Sequence, residues 1–129
     1  MLKAMSVRAI IVDDSPEFLQ AARALLEREG MTVVAVAATA AEALRSAEEH
    51  DPDVVLLDIG LGDESGFEVA QLLNPPAGRK RPVILISARP EEEFGDLVEA
   101  SPAIGFLPKP QLSATTITQL ITRGDGPQG

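Results

Sequence analysis

Cysteine is absent from the 129 residues, which excludes disulfides, thiolate metal sites and cysteine nucleophiles and suits a reducing compartment. Tryptophan and tyrosine are absent too, and there are only 4 phenylalanines, too few for a stacking platform that would hold bases or a flavin. Positive charge is scarce: 11 Lys and Arg stand against 20 Asp and Glu, for a net charge of −9. So acidic a chain repels a phosphate backbone, so direct nucleic-acid binding is not expected, whereas cations and basic protein surfaces are natural partners. No apolar run approaches the roughly 18 residues of a membrane span, and the N-terminus has no signal-peptide core. The expectation is a cytoplasmic chain without membrane contact.

What is present is a hydrophobic fraction of 45% in a chain of one-domain length, enough for a core without staples. The most informative stretch is Val54-Val55-Leu56-Leu57-Asp58. Four apolar residues in a row, two of them β-branched, read as a strand buried on both faces, as in the middle of a parallel sheet. Ligands bind outside the carboxyl ends of such strands, and Asp58 stands at that end.

The rest of the chain alternates in type. A leader over residues 1–6 precedes a first strand at 7–12 that ends in Asp13-Asp14. Ser15 as N-cap and Pro16 at the first helical position open a helix. Its apolar stripe is Phe18, Ala21, Ala22, Leu25 and Leu26, and Gly30 closes it. A second strand covers 31–37, and Thr39 with Glu42 forms a capping box for an alanine-rich helix to about residue 49. After the strand at 54–58, residues 60–64 read as loop, and Ser65 caps a third helix carrying Phe67, Val69, Ala70, Leu72 and Leu73. Arg79-Lys80-Arg81 reads as a solvated basic turn. A fourth strand at 82–87 leads to a helix whose Glu91, Glu92 and Glu93 suit its N-terminal dipole and which stops before Pro102. A short fifth strand at 104–107 precedes a last helix over about 112–122 and a flexible tail at 123–129. Five strands alternating with five helices predict an α/β fold with one domain over 7–122. Its natural form is a flavodoxin-like, doubly wound five-stranded parallel sheet in the order 2-1-3-4-5.

That topology brings Asp13, Asp14, Asp58, Ser87 and Lys109 to one end of the sheet. Singly, each has a plain reading: a solvated acidic loop, a strand-end hydroxyl, a surface lysine. Together they are costly, since one like-charge pair at roughly 4 Å repels by about 4 kcal/mol at an effective dielectric near 20. A hard divalent cation offsets that, and oxygen-only ligands select Mg²⁺ or Mn²⁺ over Zn²⁺. Lys109 adds a fixed positive charge and Ser87 a hydrogen-bond donor. A carboxylate nucleophile, a cation, an ammonium and a hydroxyl suit phosphoryl transfer onto an aspartate.

Over about residues 7–122 the chain resembles bacterial response-regulator receiver domains of the CheY-like type. The matching elements are Ile-Ile-Val-Asp13-Asp14-Ser, Val-Val-Leu-Leu-Asp58-Ile, Leu61 to Gly66, Ile-Ser87-Ala88 and Gly105-Phe106-Leu107-Pro108-Lys109-Pro110. The resemblance implies that Asp58 is the phosphoacceptor and that Asp14 and Asp58 ligate Mg²⁺. Asp13 would act largely through water, and the Gly60 carbonyl would complete the protein ligands. Lys109 would pair with the phosphoryl group, Ser87 would swing to meet it, and Phe106 would move inward as an aromatic switch. The Lys109–Pro110 bond would be cis. Implied partners are a sensor histidine kinase or phosphotransfer protein and a downstream effector bound on the face of helix four, strand five and helix five; a phosphorylation-dependent homodimer is compatible. The chain would catalyse its own phosphorylation and slow hydrolysis, as a regulator and not as a metabolic enzyme.

It departs from the family pattern in two instructive places. Gly62 stands where the loop often has Pro. Gly60, two residues past the acceptor, has no side chain to screen water, while Arg89, two past Ser87, can reach over the site and tune phosphoryl lifetime. Two alternatives stand beside the phosphorelay reading: a receiver-like module that works unphosphorylated, and a receiver cut from a longer DNA-binding regulator. A dehalogenase-type phosphatase fits worse, since it wants Asp-x-Asp where this chain has Asp13-Asp14-Ser15.

Overall fold

In the computed structural model, which describes residues 6–78 and 80–125, the apolar run at Val54 forms the middle of the molecule. β3 (Val54–Asp58) is buried at every position. Val55 and Leu57 enter one core and Val54 and Leu56 the other, because successive side chains of a strand point to opposite faces. Around it lie β1 (Arg8–Val12), β2 (Thr32–Ala37), β4 (Val83–Ser87) and β5 (Gly105–Pro108), numbering only the strands of this sheet. All pairings are parallel and the spatial order is β2-β1-β3-β4-β5, as expected from the alternation of strands and helices.

Helices cover both faces. α1 (Pro16–Arg28) and α5 (Ala114–Asp125) pack on one side through Ala22, Leu26 and Ile117. α2 (Ala40–His50) and α3 (Gly66–Leu73) cover the other with Ala43, Ala47, Val69, Ala70 and Leu73. The expected caps hold them in place. Ser15 Oγ accepts the Phe18 N–H at 3.2 Å, and Ser65 Oγ accepts that of Phe67. Thr39 Oγ1 accepts from Glu42 N–H, while Glu42 Oε1 reaches back one residue further than a standard box, to Ala38 N–H.

Three expectations change. Residues 60–64 are more than loop: Gly60–Leu61 and Glu64–Ser65 pair as a small antiparallel ribbon. Glu64 Oε1 accepts the Ala40 N–H at 2.8 Å, which ties this ribbon to the start of α2. Gly62 turns it with φ +60°, a value that proline, held near −65°, cannot adopt. The fourth helix is broken into a 3₁₀ turn, Glu91–Phe94, and one turn of α4 (Leu97–Ala100). Gly95 has φ +58° between them, outside helical space. Glu91, Glu92 and Glu93 therefore sit exposed on a 3₁₀ turn without the dipole of a full helix. α5 starts two residues later than its apolar pattern suggests, because Ser113 and Thr116 cap one another: Thr116 N–H donates to Ser113 Oγ and Ser113 N–H to Thr116 Oγ1. The helix continues to Asp125. Most of the leader and of the tail falls outside the described residues.

The start of α3 is pressed against the end of β3. A Cβ on Gly66 would collide with the Asp58 carbonyl oxygen and lie 2.7 Å from Ile59 Cα, and the Gly66 N–H donates to Ile59 O at 2.7 Å. Backbone on both sides leaves nothing to rotate away. Gly66→Ala is expected to destabilise the fold by about 3 kcal/mol, read as a lowered urea midpoint; an unchanged midpoint would show that the approach relaxes freely.

Candidate functional site

Asp58 is the last residue of β3 and is 8% exposed, while Asp13, just past β1, is fully buried. Their neighbouring strands end level, since Val12 pairs with Leu57. Asp13 Oδ1 accepts the Ser15 N–H at 2.8 Å, so the residue that caps α1 also aims this carboxylate. Asp14 is exposed beside it. Carboxylate oxygens of Asp13, Asp14 and Asp58 lie within 4.8 Å of one another. Lys109, past β5, brings its Nζ to 2.7 Å from Asp13 Oδ2 and 3.7 Å from Asp58 Oδ2. The sequence-derived set thus meets in one place.

A cleft of about 350 Å³ opens over Asp58, walled by Gly60, Ser87, Arg89, Phe94 and Lys109. Ser87 closes β4 and its Oγ accepts the Arg89 N–H at 3.0 Å. Arg89 sits at the rim with its guanidinium turned to Glu93, 3.5 Å away. Phe106 does not line this cleft. It is half-buried on β5 against Phe94, whose ring lies 6.0 Å away and itself packs on Phe67 at 6.1 Å. The Lys109–Pro110 bond corrects the family expectation: no peptide bond among the described residues is cis. A trans bond lets the chain wind directly into the 3₁₀ turn Lys109–Gln111, closed by Leu112 N–H to Lys109 O at 3.1 Å.

Burial raises the Asp58 carboxyl most, and the neighbouring Asp13 charge adds to it; Lys109 and the Gly60 N–H pull it down, and Asp14 pushes it up again, so that it reaches about 6 from 3.8. At about 6 the group is mostly ionised at neutral pH. Asp13 Oδ2 is buried without a hydrogen bond; the ammonium approaches it as an ion pair, off the hydrogen-bonding direction. Three carboxylates whose oxygens lie within 4.8 Å of one another, one of them ion-paired but not hydrogen-bonded, are a donor set that a hard divalent cation takes, and its oxygen-only make-up suits Mg²⁺ or Mn²⁺. The residues fit such an ion.

Two contributors escape a reading of the sequence. Phe18 carries the Lys109 ammonium over its ring, 4.3 Å from the centroid, a geometry that helps hold the cation; in the sequence it is only one member of an apolar helical stripe. Phe94 lines the cleft, and nothing in its spacing separates it from core.

The family model for the response regulator receiver domain matches residues 9–122. The chain is 44% identical over 91 residues to the transcriptional regulatory protein KdpE of Mycobacterium tuberculosis, covering 70% of this chain and 38% of that protein. It is 35% identical over 102 residues to a putative transcriptional regulator of Pseudomonas aeruginosa, covering 79% and 49%. It thus spans less than half the length of these relatives. Its fold superposes on the signal receiver domain of the response regulator NarL from Mycobacterium tuberculosis with a TM-score of 0.78 at 29% identity, covering 94% of this chain and 98% of that one. No described helix is long and apolar enough to cross a membrane. With the acidic cluster, the lysine and the strand order in agreement, the chain belongs to the response regulator receiver domains of two-component signalling.

Proposed function

We propose that Asp58 accepts a phosphoryl group from a sensor histidine kinase or phosphotransfer protein and that the resulting charge switches a partner-binding face. The observation that carries this reading is the Asp58 carboxylate, ionised at neutral pH, opening onto a cleft with the Lys109 ammonium 3.7 Å from its oxygen. In the transfer, an Asp58 oxygen forms the new bond to phosphorus as the bond to the donor's imidazole nitrogen breaks, and that nitrogen keeps the electron pair. Lys109 holds positive charge where the phosphoryl oxygens arrive, and the Ser87 hydroxyl donates to one of them. Asp14, Asp58, the Gly60 carbonyl and, largely through water, Asp13 would hold Mg²⁺. The ion supplies charge that offsets three carboxylates and the incoming phosphoryl group.

Once Ser87 turns to the phosphoryl group, the contact between its Oγ and the Arg89 N–H is given up. Phe106 then moves inward against Phe94, which already lines the cleft, and the face of α4, β5 and α5 is presented differently to a downstream effector. This is a bias between two states of one fold.

The test is the intact mass of the protein after incubation with acetyl phosphate, with and without Mg²⁺. A phosphoryl adduct that requires the ion and maps to the peptide containing Asp58 is expected; a folded protein that takes no phosphoryl group from this donor or from a phosphorylated kinase would overturn the reading. Gly60 offers open space over the acceptor, with nothing within 4 Å of where a Cβ would stand, so Arg89 is the side chain available to screen it. Arg89→Ala is expected to shorten the phosphoryl lifetime several-fold, followed as decay of the adduct; an unchanged decay rate would remove Arg89 from that role.

A further inference from the structure

The other end of the sheet holds a largely apolar cleft with a few polar groups, which phosphoryl transfer does not use. Sequence alone makes Arg79-Lys80-Arg81 a solvated turn, and for Arg81 the structure corrects this: its side chain is only 13% exposed. The Arg81 backbone N–H donates to Asn74 Oδ1 at 2.6 Å, which orients the amide and turns Nδ2 the other way. Asn74, the residue that closes α3, is 8% exposed. Its Nδ2 and the Arg81 Nε are both buried N–H donors without an acceptor among the described residues. Each such orphan costs about 1–3 kcal/mol, so a fold that keeps two of them in one place is short of an acceptor there.

Both residues line a cleft of about 430 Å³ with Lys80, Pro82, Pro102 and Ile104. The carboxylate that pairs with Arg81 does not fill it. Glu48 Oε2 stands 3.7 Å from the outer nitrogen Nη2 of Arg81, on a side chain that is mostly exposed, and Nε stays free. The Lys80 ammonium leans on Pro75 O at 3.3 Å, a carbonyl that leaves its charge unneutralised. The apolar walls of Pro82, Pro102 and Ile104 lower the local dielectric, which strengthens any ionic contact made inside.

We propose that this cleft binds an oxyanion, a phosphate or a carboxylate, through Asn74 Nδ2 and Arg81 Nε–H with Lys80 as counter-charge. The donors are closed to bulk water at rest, so the Arg81 side chain turns toward the cleft as the anion enters. The cleft opens at the amino end of β4, whereas Asp58 stands at the carboxyl end of β3. The site is therefore separate from the phosphoacceptor and would answer to a different ligand, either the free ion or an acidic side chain of a bound partner.

Nitrogen–proton NMR of the full chain tests it, titrating inorganic phosphate, and then a short acidic peptide with blocked termini, against chloride at matched ionic strength. Saturable shifts of the Asn74 side-chain amide and the Arg81 Nε–H are expected, about tenfold weaker in Arg81→Gln. Saturation by phosphate alone assigns the site to the free ion; saturation by the peptide as well assigns it to acidic side chains. Lys80→Gln, a change at an exposed position, is expected to weaken binding several-fold, and Glu48→Gln to tighten it, so the proposal stays testable if Arg81→Gln fails to fold. Shifts that chloride reproduces, or saturation indifferent to all three substitutions, would overturn it.

Discussion

Asp58→Asn is expected to abolish phosphoryl incorporation and, in Mg²⁺-free buffer at pH 7.5, to stabilise the fold. Both effects come from one carboxylate. The amide cannot form the acyl phosphate, so the adduct disappears from the intact mass. The stability effect follows from the raised acid at about 6, against 3.8 for the ordinary group. A carboxyl that is harder to ionise in the folded state binds its proton there more tightly than in the unfolded chain. The native protein therefore holds the extra proton between about pH 4 and pH 6. Stability from this group is full below about pH 4, falls as pH rises through 6, and is a constant cost above that. The cost amounts to about 3 kcal/mol at most, which Asn, neutral and nearly isosteric, removes. The urea midpoint of Asp58→Asn should exceed the wild type at pH 7.5 and converge with it near pH 4. Excess Mg²⁺ should narrow the gap at pH 7.5, because the ion binds the wild-type carboxylates and stabilises that fold by mass action. A variant no more stable than the wild type at pH 7.5 would show that Lys109 already neutralises the site.

Lys109→Gln should also impair phosphorylation, but it should move stability the other way. Lys109 is the cation beside a fully buried Asp13, at 2.7 Å, and it also faces Asp58. Removing one member of a buried pair leaves an uncompensated charge and costs about 3–5 kcal/mol. Here the loss should be greatest above about pH 6, where Asp58 is ionised, and Mg²⁺ should restore much of it. The rate of phosphorylation from acetyl phosphate should fall by about 10²–10³-fold, the usual size for losing one preorganised partner of the developing charge. Chemical denaturation with and without Mg²⁺, beside a time course of the adduct, separates the two effects. A variant that loses stability but keeps its rate would make Lys109 a structural counter-ion only.

Much of this site is legible in the chain because it rests on strand ends. Val54 to Leu57 reads as a strand buried on two faces, and a parallel sheet of such strands sends Asp58, Asp13 and Lys109 to one end. The helix starts at Pro16, Ala40 and Gly66 are equally local, since Ser15, Thr39 and Ser65 each bond a backbone N–H two or three residues on. Local chemistry of that kind needs no tertiary context.

The rest depends on contacts between residues far apart in the chain, which spacing does not encode. The place of Phe18 under Lys109 joins α1 to the turn after β5, and the row of Phe67, Phe94 and Phe106 joins three elements. The trans bond before Pro110 lies in a 3₁₀ turn that follows β5 directly. The burial of Arg81 beside Asn74 reverses its surface reading, since charge alone placed it in solvent and only the junction of α3 with β4 took it out. Which residues reach the Asp58 end of the sheet is written along the chain, because strand ends and caps are set by neighbours in sequence. The tertiary structure decided how tightly the carboxylates and the lysine are pressed together, and so the energy stored in Asp58, because burial is a property of the whole packed sheet.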